Sequence, residues 1–149
     1  MKIEEMQDKV GQVVGTSEWI LIDQARINAF ADCTEDHQFI HVNPEMAKMT
    51  PFGTTIAHGF LTLSLMSKMA ESAMPKVEAL MGLNYGFDKM RFLNPVKVDQ
   101  KVRGVFKLLE MSEKRPTQWQ QKVEVTVEIE GQDKPALIAE WLTMVFTAA

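Results

Sequence analysis

The chain is poor in cysteine, in long apolar runs and in positive charge. Cys33 is the single cysteine among 149 residues. An intramolecular disulfide is therefore impossible, no Cys/His cluster is available to ligate a metal, and the count fits a reducing compartment. No window of about 18 apolar residues occurs, so no membrane span is expected. Lys and Arg number 16 against 20 Asp and Glu, a formal net charge of −4, whereas a nucleic-acid binder is usually basic. That balance leaves room for a local basic patch facing an anionic ligand. The first ten residues, MKIEEMQDKV, put acids where a signal peptide needs an apolar core. The expectation is a soluble cytoplasmic protein without nucleic-acid or membrane partners.

What is present is ordinary globular material. Hydrophobic residues make up 46% and charged residues 24%, close to average usage. A chain of this length forms one domain, residues 1–149, and can bury most of its apolar surface without staples. Eleven methionines suit core gaps or an adaptable apolar pocket. All three histidines, His37, His41 and His58, fall within residues 36–60, DHQFIHVNPEMAKMTPFGTTIAHGF. The stretch opens with Asp36, five residues before His41, and closes with His58-Gly59 at the start of the most apolar helical run. One reading sets Asp36 and His41 as an acid–base pair opposite the N-terminus of that helix. Taken alone, Asp36 is more readily a turn residue closing the preceding helix, and His41 a structural histidine.

Along the chain, residues 1–17 are polar and mixed, with a short helix leading to Gly11 and Gly15. Residues 19–22 form a short strand. Asp23 caps a helix whose apolar face is Ile27, Phe30 and Ala31, ending near Thr34. Asn43-Pro44 starts a second, short helix, since Pro fits the first helical position, and Thr50-Pro51-Phe52-Gly53 breaks it. In residues 59–73 the apolar side chains occupy most sides of a helical wheel, which predicts a buried helix surrounded by a sheet. The second half supplies that sheet. Residues 80–87 are ambiguous between strand and loop, 101–109 form a strand, and 114–116 a turn. In residues 119–129 Val123, Val125, Val127 and Ile129 alternate with Lys122, Glu124, Thr126 and Glu128, the pattern of an antiparallel strand with one wet face. A turn at 131–133 leads to residues 136–146, apolar on both faces like a central strand. The fold class is α+β, a long buried helix in a strongly curved antiparallel sheet.

The residues Asp36-His37-Gln38-Phe39-Ile40-His41, Pro44, Phe52-Gly53 and Ile56-Ala57-His58-Gly59 resemble the MaoC-like dehydratases, which include the (R)-specific enoyl-CoA hydratases and the NodN-like proteins. The resemblance extends over nearly the whole chain, including Ser17 to Ile20, Asn84-Tyr85-Gly86 and Arg91-Phe92-Leu93-Asn94-Pro95-Val96. Many hydratases of the family carry Asn-Pro where this chain has Gln38-Phe39, and the NodN-like branch is the more similar there. The resemblance implies the hot-dog fold, a helix wrapped in an antiparallel sheet, and a homodimer or higher homo-oligomer.

It also implies a reaction, the reversible addition of water to a trans-2-enoyl thioester such as an acyl-CoA, with no cofactor and no metal. Asp36 and His41 match the acid–base pair that holds the water. The Gly59 N–H, at the positive end of the buried helix, matches a donor to the thioester oxygen. His58 is expected near the substrate or in placing the loop before Gly59, and His37 in solvent. Ser64 or Ser67 either bonds the catalytic pair or bonds back to the helix. Asn84 and Tyr85 either line the acyl channel or finish a strand, and Lys89 and Arg91 either meet phosphates or are simply solvated. The expected set is thus Asp36, His41 and Gly59 for catalysis, with His58, Ser64, Asn84 and Tyr85 around the substrate. Two other functions fit the same fold, a thioester hydrolase and a non-catalytic acyl-thioester binder. Many hot-dog hydrolases carry a carboxylate on the central helix, and this helix has no acid before Glu71.

Overall fold

The computed structural model describes residues 1–149. Its elements in order are α1 (Ile3–Gln7), β1 (Val13–Thr16), β2 (Ile20–Leu21), α2 (Gln24–Thr34), α3 (Phe39–Val42), α4 (Pro44–Ala47), α5 (Gly59–Ser64), α6 (Met66–Ala73), β3 (Met81–Phe92), β4 (Lys101–Arg115), β5 (Gln118–Ile129) and β6 (Leu137–Phe146). All strand pairs are antiparallel, in the order β1-β4-β5-β6-β3, with β2 beside β1 along β4. No helix is long and apolar enough to cross a membrane.

Local signals act where they are read. The Asp23 carboxylate accepts the Arg26 N–H at 2.9 Å and caps α2, and the Asn43 side chain accepts the Met46 N–H at 3.1 Å ahead of Pro44. The alternation of β5 turns Val123, Val125, Val127 and Ile129 into the core, each at most 1% exposed. They meet Met66 and Met69 of α6 and Phe106 and Leu108 of β4 in one apolar cluster.

Three expectations need correction. The helix over 59–73 is two segments, α5 and α6, jointed at Leu65. Leu65 keeps helical backbone angles, and bonds from Leu65 N–H to Leu61 O and from Met69 N–H to Leu65 O carry the hydrogen-bond ladder across the joint. The helical unit is not buried all round either. Leu61, Thr62, Met66, Met69 and Ala73 face the core, whereas Phe60, Ser64, Ser67 and Lys68 are exposed, because the sheet of one chain covers only one side. Finally, the ambiguous stretch at 80–87 belongs to a 12-residue edge strand, β3. Its pairing with β6 shifts register around Tyr85 and again between Phe87 and Met90, which explains why no clean alternation marks it in the sequence. The N-terminal stretch read as polar and mixed also contributes β1 to the opposite edge.

That edge is held by a close approach. At Gly15 a Cβ would lie 1.8 Å from the carbonyl oxygen of Ala73, so β1 and the C-terminal end of α6 meet backbone to backbone. Gly15→Ala should destabilise the fold by about 1–3 kcal/mol, the usual effect of overpacking. Thermal unfolding should show Tm lower by roughly 3–10 °C, and an unchanged Tm would mean that this contact yields freely.

Candidate functional site

The site grows out of the end of α2. Glu35 takes the left-handed conformation, φ 61° and ψ 26°, as the C-cap of α2, which ends the helix and turns the chain into Asp36. His41 follows on α3, and its ring is 6% exposed. Residues 55–58 run beside it as an extended segment. Ile56 N–H bonds Ile40 O at 3.0 Å, Ala57 N–H bonds Val96 O at 2.8 Å, and Val98 N–H bonds Thr55 O at 3.0 Å. Gln24 of α2 ties the two pieces together, donating to His41 O at 2.8 Å and accepting from the Thr55 hydroxyl.

The two buried histidines have defined tautomers, because each bonds a carbonyl and a carbonyl only accepts. His41 Nδ1–H donates to Ile56 O at 2.7 Å, leaving the Nε2 lone pair free. His58 Nε2–H donates to the Asp36 carbonyl oxygen at 3.0 Å. The His41 and His58 rings stack with centroids 3.9 Å apart and planes at 24°, and Phe30 of α2 packs on His58 at 4.9 Å. A carboxylate oxygen of Asp36 and one ring nitrogen each of His41 and His58 lie within 4.8 Å of one another. That spacing would suit a metal ion, but the lone pairs of two stacked rings lie in near-parallel planes 3.9 Å apart, so both cannot be aimed squarely at one ion between them. The arrangement fits a proton-handling pair better than a coordination site.

Beside the pair lies a cavity of about 400 Å³, lined by His41, Gly59, Thr62, Phe92, Asn94 and Leu137 among others. Gly59 is the first residue of α5, and no backbone acceptor takes its N–H, as for any first-turn donor. Its φ is not in the left-handed region. A Cβ here would come 2.9 Å from Cε1 of Phe92, so any larger residue would have to displace that ring.

The structure thus brings Asp36, His41 and Gly59 to one place. The other expected residues distribute differently. His58 is 2% exposed and does not line the cavity; Asp36, Phe30 and His41 enclose it, so it has no face to offer a substrate. Ser64 is exposed and lines neither this cavity nor a second one of about 540 Å³ between α6 and the sheet. Asn84 lines that second cavity together with Ser67 and accepts Trp141 Nε1–H at 3.1 Å. Tyr85 is 66% exposed. His37 is exposed and bonds Asp32 at 2.9 Å. Arg91 meets only its neighbour's carbonyl, Met90 O. Sequence reasoning missed Thr62 and Gln24. Thr62 lies three residues after Gly59, on the same helix face, and that periodicity was the signal available. Gln24 carried none, since its role depends on a contact 31 residues away.

Burial holds His41 below the ordinary histidine value, outweighing the bond to Ile56 and the nearby Asp36 carboxylate, which both pull upward. The neutral ring is therefore favoured at pH 7. Because the unfolded chain takes up this proton first, the stability the neutral ring contributes is complete above about pH 6.5 and is lost as pH falls through the lowered folded-state value. An NMR titration of His41 should give a midpoint below the ordinary histidine value of about 6.5. A midpoint at or above it would contradict the burial argument.

Comparison with known proteins identifies the family. The family model described as "MaoC like domain" matches residues 5–132. Nodulation protein N of Rhizobium leguminosarum bv. viciae is 52% identical over 147 residues, covering 97% of this chain and 91% of its own. The 3-hydroxyacyl-thioester dehydratase Z of Mycobacterium tuberculosis is 42% identical over 138 residues, covering 93% and 91%. Among solved structures, the (R)-hydratase from A. caviae superposes with a TM-score of 0.73 at 23% identity, covering 89% of this chain and 95% of its own, which establishes the shared hot-dog fold. With a family match across most of its length and relatives this similar over nearly all of theirs, the chain belongs to the MaoC-like domain family.

Proposed function

We propose that this protein is an (R)-specific enoyl-CoA hydratase, equally a 3-hydroxyacyl-CoA dehydratase in reverse, acting in the cytoplasm on a trans-2-enoyl thioester. The observation that carries the reading is the meeting of the Asp36 carboxylate and the buried His41 ring beside a cavity lined by Gly59, whose N–H no backbone carbonyl takes. In the hydration direction a water held by Asp36 and His41 gives up a proton as its oxygen bonds to the β-carbon. The pair returns a proton to the α-carbon on the same face, so protons balance over the cycle. His41 Nε2, freed by the Nδ1–H bond to Ile56, is the ring atom able to accept one. The charge that builds on the thioester oxygen meets the Gly59 N–H. The 3-hydroxyacyl-thioester dehydratase among the relatives supports the substrate class.

A hydrolase would direct the same water to the carbonyl carbon. With crotonyl-CoA, hydration removes the conjugated double bond without releasing thiol. Asp36→Asn and His41→Gln should each lower that rate by about 10²–10⁴-fold, the usual contribution of a positioned acid or base. Thiol release, or near wild-type turnover in a folded variant, would refute the assignment.

The reading includes a second copy of the chain paired along β3. That strand is bonded on one side only, and Leu80, Met81, Leu83 and Tyr85 are 73, 51, 52 and 66% exposed, with Phe60 nearby in the fold's open side at 66%. An apolar open edge of this length favours isologous pairing. Light scattering at micromolar concentration should give about twice the chain mass of 16.9 kDa, and Leu83→Lys should shift it toward one chain. A monomeric wild-type mass would overturn this.

A further inference from the structure

We infer that His58 is a positioning residue, one that holds Asp36 and the His41 ring in register without touching substrate. The inference rests on the hydratase reading for its activity arm alone.

Three observations carry it. First, the His58 Nε2–H bond reaches back 22 residues to the carbonyl of Asp36. Asp36 sits in a loop, is exposed, and has only a long 3.4 Å bond from Gln38 N–H to its own carboxylate, so the His58 bond is the tether that fixes its backbone. Second, the ring lies against His41 at 3.9 Å and 24° and is backed by Phe30. It therefore sets the plane in which His41 Nε2 points, while Ile56 sets the rotation within that plane. Third, the other nitrogen, Nδ1, is sealed from solvent and has no partner. An apolar ring would fill this space without leaving a buried acceptor unmet, and buried polar groups in folded proteins nearly always find a partner. Packing alone does not call for histidine at this position. The one thing histidine adds to a phenyl ring here is the N–H to Asp36.

His58→Phe separates the roles. It keeps the stack, removes the orphaned Nδ1 and deletes the tether. The expected variant has an equal or higher Tm and a kcat lower by about 10²-fold, the scale set by misplacing a reacting group by 1 Å. Its KM should change less than about threefold, since only the acid–base geometry is disturbed. His58→Gln keeps an N–H near the Nε2 position and should recover part of that kcat despite a lower Tm. A purely structural His58 would give the opposite pattern, with Tm falling in His58→Phe and kcat of the folded fraction unchanged. Nitrogen-15 NMR of the wild-type ring decides independently of any variant's folding. An Nε2–H tautomer for His58 beside an Nδ1–H tautomer for His41 is expected, and an Nδ1–H tautomer for His58 overturns the inference. If the wild-type chain fails to hydrate crotonyl-CoA, the proposed activity falls while the tautomer and Tm results still judge His58.

Discussion

The candidate site depends on one short piece of extended backbone, residues 55–58. Its three central peptide groups bond outward in both directions, to Ile40 and His41 on one side and to Val96 and Val98 on the other. The loop that carries His41 and the chain leaving β3 toward β4 are thereby fixed to a common rail. The rail ends in His58 and delivers the chain directly into α5, so the first free N–H of that helix arrives next to the ring that the rail has just positioned. Loosening these bonds would separate His41 from the helix end in a single step.

The helical unit behind the site is located at its two ends by close approaches in which a side chain would intrude. At the far end Gly15 lets β1 meet the backbone of Ala73, and at the near end Gly59 leaves room for the ring of Phe92. The joint at Leu65 lies between them. Met66 and Met69, both at most 2% exposed, fill the space beneath the joint, where an unbranched side chain adapts to an irregular gap.

Much of this was legible in the chain itself, for reasons that differ by element. The caps at Asp23 and Asn43 and the alternation from Val123 to Ile129 are local chemistry, and the structure places them as read. The spacing of Asp36, His41 and His58-Gly59 brought the acid, the ring and the helix start together. What was not legible depends on register and on distant contacts. Bulges around Tyr85 and Asp88 hide the alternation of β3. Of the helix residues left exposed, Phe60 is apolar while Ser64, Ser67 and Lys68 are polar, so the apolar wheel overstated its burial. His58 looked like a substrate contact because it adjoins Gly59, whereas its tilt, decided by the Asp36 carbonyl and Phe30, sends it behind His41.

Both buried histidines take their orientation from main-chain carbonyls, those of Ile56 and Asp36. A carbonyl belongs to every residue type, so substitution at position 56 can change the side chain without withdrawing the acceptor that fixes the His41 tautomer. The protonation pattern of the pair is therefore inherited with the fold and not with any particular neighbour. Sequences could drift widely around these two rings while the rings themselves continued to present the same nitrogen to the cavity. Such drift would let the lining of the cavity vary independently of the two rings.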